Sequence, residues 1–233
     1  MQQYPEKVED ERQEKLFSSL RSWRKRVSGG MDAILPGLFV GGLRDALDGQ
    51  QLQEQEIAAV VSVHDFCNDY DFTSQMEWIR IRLSDSPEQD ASIHFATVNS
   101  FVHKFRMEQK NVLIHCLAGA SRSVCFIVAY LMTVTNLDYA SALAYVVSKR
   151  PSARPNFGFR MQLRKFGEQS LAQERKRLLE EFKEGHKHFF ALRKHDCLAS
   201  NSLYVSLEGD DLELDLNPIV CSPRIDALTF IDE

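Results

Sequence analysis

Apolar and polar positions change period several times along this 233-residue chain. Ile34-Leu35-Pro36-Gly37-Leu38-Phe39-Val40-Gly41-Gly42 is apolar between turn residues and predicts a short strand. Gln50 to Glu56 is polar and helix-permissive. Ile57 to Val63 is a nearly continuous apolar run, the pattern of a strand covered on both faces. Glu77 to Leu83 alternates in character and predicts a third strand. Phe95, Val98, Phe101, Val102 and Phe105 recur at helical spacing, and Asn111 to His115 predicts a short strand leading into Cys116.

Ser123 to Thr135 is apolar all round, which predicts a buried helix. Tyr139, Leu143, Val146 and Val147 mark a further helix, N-capped by Asp138 and closed by Pro151. Phe157-Gly158-Phe159 opens one more, carrying Leu163, Phe166 and Leu171. Strands alternating with helices predict an α/β fold, a central mainly parallel sheet with helices on both faces.

The ends differ from the middle. Residues 1–30 are expected to form a charged N-terminal extension, with Leu16, Leu20, Trp23 and Val27 at helical spacing and Arg21, Arg24, Lys25 and Arg26 beside them. Two readings apply: a short helix with a solvated charged face, or a basic amphipathic helix making a weak membrane or partner contact through residues 15–27. The domain proper is expected over 31–180. Residues 181–233 read as a charged helical extension followed by an acidic, flexible tail.

Composition narrows the classes. The net charge of −5 and the pI near 5.8 argue against a general nucleic-acid binder. No run approaches the roughly 18 apolar residues that span a bilayer. Met1-Gln2-Gln3-Tyr4-Pro5 lacks the apolar core of a secretory signal, so an intracellular location, cytoplasmic or also nuclear, is expected. Cys67, Cys116, Cys125, Cys197 and Cys221 are widely spaced, which suits neither a disulfide framework nor a zinc site.

One cysteine stands in a special context. His115-Cys116-Leu117-Ala118-Gly119-Ala120-Ser121-Arg122-Ser123 follows a predicted strand and precedes the buried helix. The loop Leu117, Ala118, Gly119, Ala120, Ser121 can turn its N–H groups inward beside a helix N-terminus, which makes an anion site and lowers a thiol's pKa. Arg122 supplies a planar fork for two phosphoryl oxygens. Gly119 relieves crowding where the loop bends. His115 is expected to order the loop by hydrogen bonds. Ser123 can donate its hydroxyl to the sulfur. Attack on a phosphate ester also needs an acid for the leaving oxygen. Asp85, in Leu83-Ser84-Asp85-Ser86-Pro87 after the third strand, is the best candidate, with Glu88 and Asp90 as weaker ones.

These residues resemble the Cys-x5-Arg signature of protein tyrosine phosphatases, in the form carried by the dual-specificity branch. Asp85 stands upstream of Cys116 at the spacing of that branch's general acid. Arg154-Pro155-Asn156-Phe157-Gly158-Phe159 with Gln162-Leu163 is similar to its Asn-x-Gly-Phe-x-x-Gln-Leu segment, which implies that Asn156 orders the phosphate loop. Ile34-Leu35-Pro36-Gly37-Leu38, Ser62-Val63-His64-Asp65 and Met132-Thr133-Val134-Thr135 resemble the small atypical subgroup related to VHR, called VHX and VHY or JNK-pathway-associated phosphatase. The resemblance implies hydrolysis of phosphotyrosine and phosphoserine or phosphothreonine in phosphorylated proteins, in MAP-kinase-type signalling. It implies a phosphocysteine intermediate and neither metal nor cofactor. That subgroup is myristoylated on an N-terminal Met-Gly, whereas this chain begins Met1-Gln2.

Three rival readings are weaker. A phosphoinositide phosphatase would place lysines in the loop, where Leu117, Ala118 and Ala120 are uncharged. A phosphoprotein-binding scaffold would lack the cysteine, the arginine or the acid. A cysteine hydrolase with His115 as base would need two adjacent strand residues on one face.

Overall fold

The computed structural model describes residues 30–65, 76–183 and 186–200. The basic segment 15–27, the segment 66–75 and the acidic tail beyond Ser200 lie outside the described residues, as do Cys67 and Cys221. The sheet comprises β1 (Asp32–Leu35), β2 (Leu38–Gly42), β3 (Ile57–Val63), β4 (Glu77–Ile81) and β5 (Asn111–Cys116), in the order β1-β2-β5-β3-β4. Among the described residues only the β1–β2 pair is antiparallel. The apolar run from Ile34 to Gly42 is therefore two strands rather than one. Pro36 and Gly37 turn the chain between them, with Gly37 at φ +76°, a conformation that favours glycine.

Helices cover both faces. α1 (Leu43–Ala46) and α2 (Gly49–Glu54) lie on one, where Ala46 and Leu52 pack with Phe39, Ile57, Val60 and Leu113. The other face carries α3 (Phe95–Met107), α4 (Arg122–Val134), α5 (Tyr139–Lys149), α6 (Phe157–Gln169) and α7 (Leu171–Glu181), around the larger core. Strand parity sorts the side chains. Val112, Ile114 and Cys116 of β5 face the large core, as do Ala59, Val61 and Val63 of β3. A register shift between Ile57 and Ala59 turns Ile57 to the opposite face. Every residue of α4 is buried, as its unbroken apolar sequence predicts.

The helix expected to run from Phe157 through Leu171 breaks at Ser170, where α7 starts. A last helix, α8 (His186–Ala199), also packs on the domain. Its Asp196 receives two hydrogen bonds from Arg106 of α3, at 2.6 and 2.8 Å, and both side chains are fully buried. Arg106 also reaches Tyr130 Oη at 2.9 Å and the Pro36 carbonyl at 2.8 Å. Among the described residues no helix is long and apolar enough to cross a membrane.

The parallel strands determine where chemistry collects. Gly42 pairs with Cys116, Ser62 with His115, and Val63 with Ile81. The loops after β2, β3, β4 and β5 therefore share one edge, the carboxyl edge at which open α/β sheets hold ligands.

Candidate active site

Cys116 ends β5, buried beneath the turn that joins it to α4. The carbonyls of that turn point outward, each to a named donor. Leu117 O accepts from Leu43 N at 3.0 Å, and Ala120 O from Arg154 N at 2.6 Å. Gly119 O accepts from Arg150 Nε at 2.6 Å, and Ala118 O from the same guanidinium at 3.4 Å. In a trans peptide the carbonyl and the following N–H point in opposite directions. The N–H groups of Ala118, Gly119, Ala120 and Ser121 therefore face inward, around the sulfur. Gly119 N lies 3.2 Å from Cys116 Sγ. Gly119 has φ +67°, and a Cβ there would sit 2.5 Å from the Gly41 carbonyl oxygen, so only glycine fits.

The same cradle stabilises a thiolate. Burial alone raises a thiol's pKa. The Ser123 hydroxyl, the Arg122 guanidinium and the N–H groups of Ser123 and Gly119 outweigh it, and the Cys116 pKa lies below its ordinary value. Ser123 Oγ is 3.3 Å from the sulfur. By contrast, burial pushes the Cys125 thiol up, which makes Cys125 an inert core residue.

His115 occupies the opposite face of β5. Its Nδ1 lies 3.2 Å from the Cys116 carbonyl, which can only accept, so Nδ1 carries the proton. Trp78 Nε1 donates to Ser62 Oγ at 2.8 Å, and Ser62 Oγ lies 2.6 Å from His115 Nε2. Ser62 thus donates to Nε2. Burial drives the His115 pKa down to about 3, consistent with this neutral tautomer. The ring braces the strand end beneath the cysteine and is not aimed at the sulfur, which disposes of the base role.

Arg122 opens α4 with its guanidinium buried. One Nη donates to Asp65 Oδ1 at 3.2 Å and to the Leu83 carbonyl at 3.1 Å. Arg122 Nε has no hydrogen-bond partner among the described residues and lies 3.8 Å from Asp85 Oδ2. Asp65, which also accepts from Ser84 at 2.7 Å, is held below its ordinary pKa by that hydroxyl first and by Arg122 as well. Asp85 reaches the loop: its Oδ1 accepts from Ser121 Oγ at 2.6 Å. Glu88 pairs with the Ser86 hydroxyl, and Asp90 accepts from Ser92 at the start of the 3-10 turn Ser92–His94. Neither reaches the loop. Asn156 N-caps α6, and its backbone N–H donates to Ser121 Oγ at 3.1 Å. Its carboxamide does not enter the loop, and donates instead to Asp85 at 2.9 Å.

A thiol of lowered pKa, a ring of inward N–H groups, a buried guanidinium and a nearby carboxyl together can bind a phosphoryl dianion and exchange its ester oxygen. The family described as "Dual specificity phosphatase, catalytic domain" matches residues 38–169. This chain belongs to that family. Dual specificity protein phosphatase 22 of Homo sapiens is 39% identical over 158 residues, which cover 68% of this chain and 85% of that protein. Dual specificity protein phosphatase 22-B of Danio rerio is 41% identical over the same length. The crystal structure of DUSP15 superposes with a TM-score of 0.64 at 37% identity, covering 66% of this chain and 98% of that one. The chain is thus a dual-specificity protein phosphatase acting on phosphoproteins, and the scaffold and phosphoinositide readings are not favoured.

Two residues of this dual-specificity phosphatase site show no role in the sequence: Arg150 stands in no motif, and Asp65 enters only as the end of the subgroup stretch Ser62-Val63-His64-Asp65. Arg150 is 2% exposed, and besides the loop carbonyls it reaches Asp32 Oδ2 at 2.6 Å and the Gly30 carbonyl at 3.2 Å. Asp65 holds Arg122 from the end of β3. An arginine before Pro151 and an aspartate after a strand read as ordinary surface residues until the fold joins them to the loop.

Proposed function

We propose that Cys116, Arg122, Asp85 and Ser123 carry out hydrolysis in two steps. The phosphoryl group of a phosphotyrosine, phosphoserine or phosphothreonine side chain enters the cradle formed by the backbone of Leu117, Ala118, Gly119, Ala120 and Ser121. Arg122 takes two of its oxygens. The Cys116 thiolate attacks phosphorus; the S–P bond forms as the ester P–O bond breaks, and protonated Asp85 gives its proton to the departing oxygen. Water then attacks the phosphocysteine, Asp85 accepts its proton, and the P–S bond breaks. Ser123 donates to the sulfur as it leaves. The observation that carries this reading is the convergence on one sulfur of an inward N–H group, the Ser123 hydroxyl and the field of Arg122.

Asp85→Asn should lower turnover by about 10²–10⁴ for an ester with a poor leaving group. It should matter far less for an activated phenolic ester. Equal losses on both would remove Asp85 from the acid role. Cys116→Ser should abolish turnover and retain phosphopeptide binding, and near-normal turnover would sink the mechanism. The proposal also includes a cytoplasmic location, with weak contact of residues 15–27 with acidic lipid, supported by Arg21, Arg24, Lys25 and Arg26 beside Trp23. Co-sedimentation with phosphatidylserine vesicles tests the contact; no binding above neutral vesicles refutes it.

A further inference from the structure

Four groups of α6 and the phosphate loop meet the segment that carries Asp85. Asn156 Nδ2 and Ser121 Oγ both reach Asp85 Oδ1, at 2.9 and 2.6 Å. Gly158 lies so close to the Pro87 carbonyl that any Cβ there would collide with it. Gln162 Oε1 accepts from Ala91 N at 2.8 Å, while its Nε2 donates to the Gln89 carbonyl at 2.7 Å. The acid segment is thus pinned at both ends and in the middle by one helix.

The direction of each bond follows from its neighbours. Asn156 Oδ1 accepts from Phe159 N at 3.0 Å, so the NH2 group faces Asp85. Ser121 Oγ accepts from Asn156 N at 3.1 Å, so its single proton points to Asp85. Oδ1 therefore receives two donors, and a carboxyl oxygen has two lone pairs. No place on Oδ1 remains for a proton. Oδ2 is the oxygen turned toward Arg122, 3.8 Å from its Nε.

We infer that Asn156 and Ser121 are positioning residues for the acid: they saturate Asp85 Oδ1 and leave Oδ2 as the oxygen that delivers and later recovers the catalytic proton. In the first step the Oδ2–H bond breaks as the proton passes to the ester oxygen, leaving a carboxylate. In the second step one proton of the attacking water returns to Oδ2. Proton delivery needs no closing movement of the acid segment, because α6 already holds it. The inference rests on Asp85 as the acid, as set out under Proposed function.

Asn156→Ser tests it with the helix cap intact. The serine hydroxyl oxygen can still accept from Phe159 N, and serine is as good an N-cap as asparagine, but the carboxamide donor to Asp85 is gone and no charge is added beside it. Ser121→Ala removes the other donor, and Ser121→Thr restores a hydroxyl. Steady-state rates are measured on the full chain for an activated and an unactivated aryl phosphate. The expected result is a loss about 10–10² larger for the unactivated ester, expressed in kcat rather than KM, with recovery in Ser121→Thr. In an Asp85→Asn background, Asn156→Ser should leave the ratio between the two substrates unchanged. Equal losses on both substrates in Asn156→Ser and Ser121→Ala, with a selective loss in Asp85→Asn, overturn the inference and spare the acid assignment. A non-selective loss in Asp85→Asn overturns both.

Discussion

Arg150 offers a test of how the phosphate loop is built. Its guanidinium is buried and donates to Gly119 O at 2.6 Å, Ala118 O at 3.4 Å, Gly30 O at 3.2 Å and Asp32 Oδ2 at 2.6 Å. Arg150→Met keeps the length of the stem and removes every donor. A hydrogen bond from a charged group contributes about 1.5–3 kcal/mol. The short bond to Gly119 O counts in full. The Asp32 pair is discounted because Asp32 is 31% exposed. The sum is a loss of about 2–4 kcal/mol, or roughly 5–15 °C in Tm for a domain of this size.

Activity should fall as well, for a separate reason. Without Arg150 the peptide planes that follow Ala118 and Gly119 lose their outward tether, and their N–H groups lose their inward aim. Misaiming one oxyanion-type donor costs about 10²–10³ in rate, so kcat/KM should drop by at least about 10² below the melting range. Inorganic vanadate should bind more weakly in parallel, measured by competitive inhibition alongside thermal unfolding. If Arg150→Met melts lower but keeps its kcat/KM and vanadate affinity, the loop does not depend on this tether, and the reasoning fails.

Other consequences are open to measurement. Ser123→Ala should raise the Cys116 pKa by removing the hydroxyl 3.3 Å from the sulfur, so the pH curve for iodoacetate alkylation moves up; an unmoved curve contradicts that assignment. His103 and His115 are buried, and burial lowers each from 6.5 to about 3. The unfolded chain therefore binds their protons first as pH falls. Both contributions are complete above about pH 6.5 and are lost toward pH 3, at about 1.4 kcal/mol per pH unit for each histidine. Denaturant unfolding should weaken steeply between pH 6.5 and 5 and less steeply in His103→Gln; a flat profile refutes the burial account. Asp196→Ala leaves Arg106 buried without its carboxylate and should cost about 3–5 kcal/mol, read from urea unfolding; a loss under about 1 kcal/mol would mean that α8 is not clamped by this pair.

Much of the molecule was legible because period and local chemistry carry it. β3, β5 and α4 follow from their apolar runs, and the carboxyl edge of a parallel sheet brings Asp85 to the loop that Cys116 opens. The β1–β2 turn was missed because Pro36 and Gly37 interrupt a run apolar on both sides, so two short strands looked like one. Arg150 and Asp65 escaped for a different reason. Their partners lie far away in sequence, Arg150 on Gly119 and Asp65 on Arg122, and no periodicity links such positions. The packing of α8 was hidden by its charges. Arg193 and Asp196 are buried, against the usual preference of charged side chains for water, so a charged helical extension shows no docking face in its sequence. Resemblance marks Asn156 in the sequence, and only the hydrogen-bond directions show that its carboxamide turns to Asp85 rather than into the loop.

The central claim is that phosphate passes through a covalent bond to Cys116. Its most direct test is a rapid denaturing quench of the full chain turning over a phosphotyrosine peptide, followed by mass analysis of the proteolytic fragment that contains Cys116. A phosphoryl adduct on that fragment, formed within the first turnover and missing in Cys116→Ser, is the predicted result. Turnover with no adduct on Cys116, or with the phosphoryl group on another residue, would contradict it.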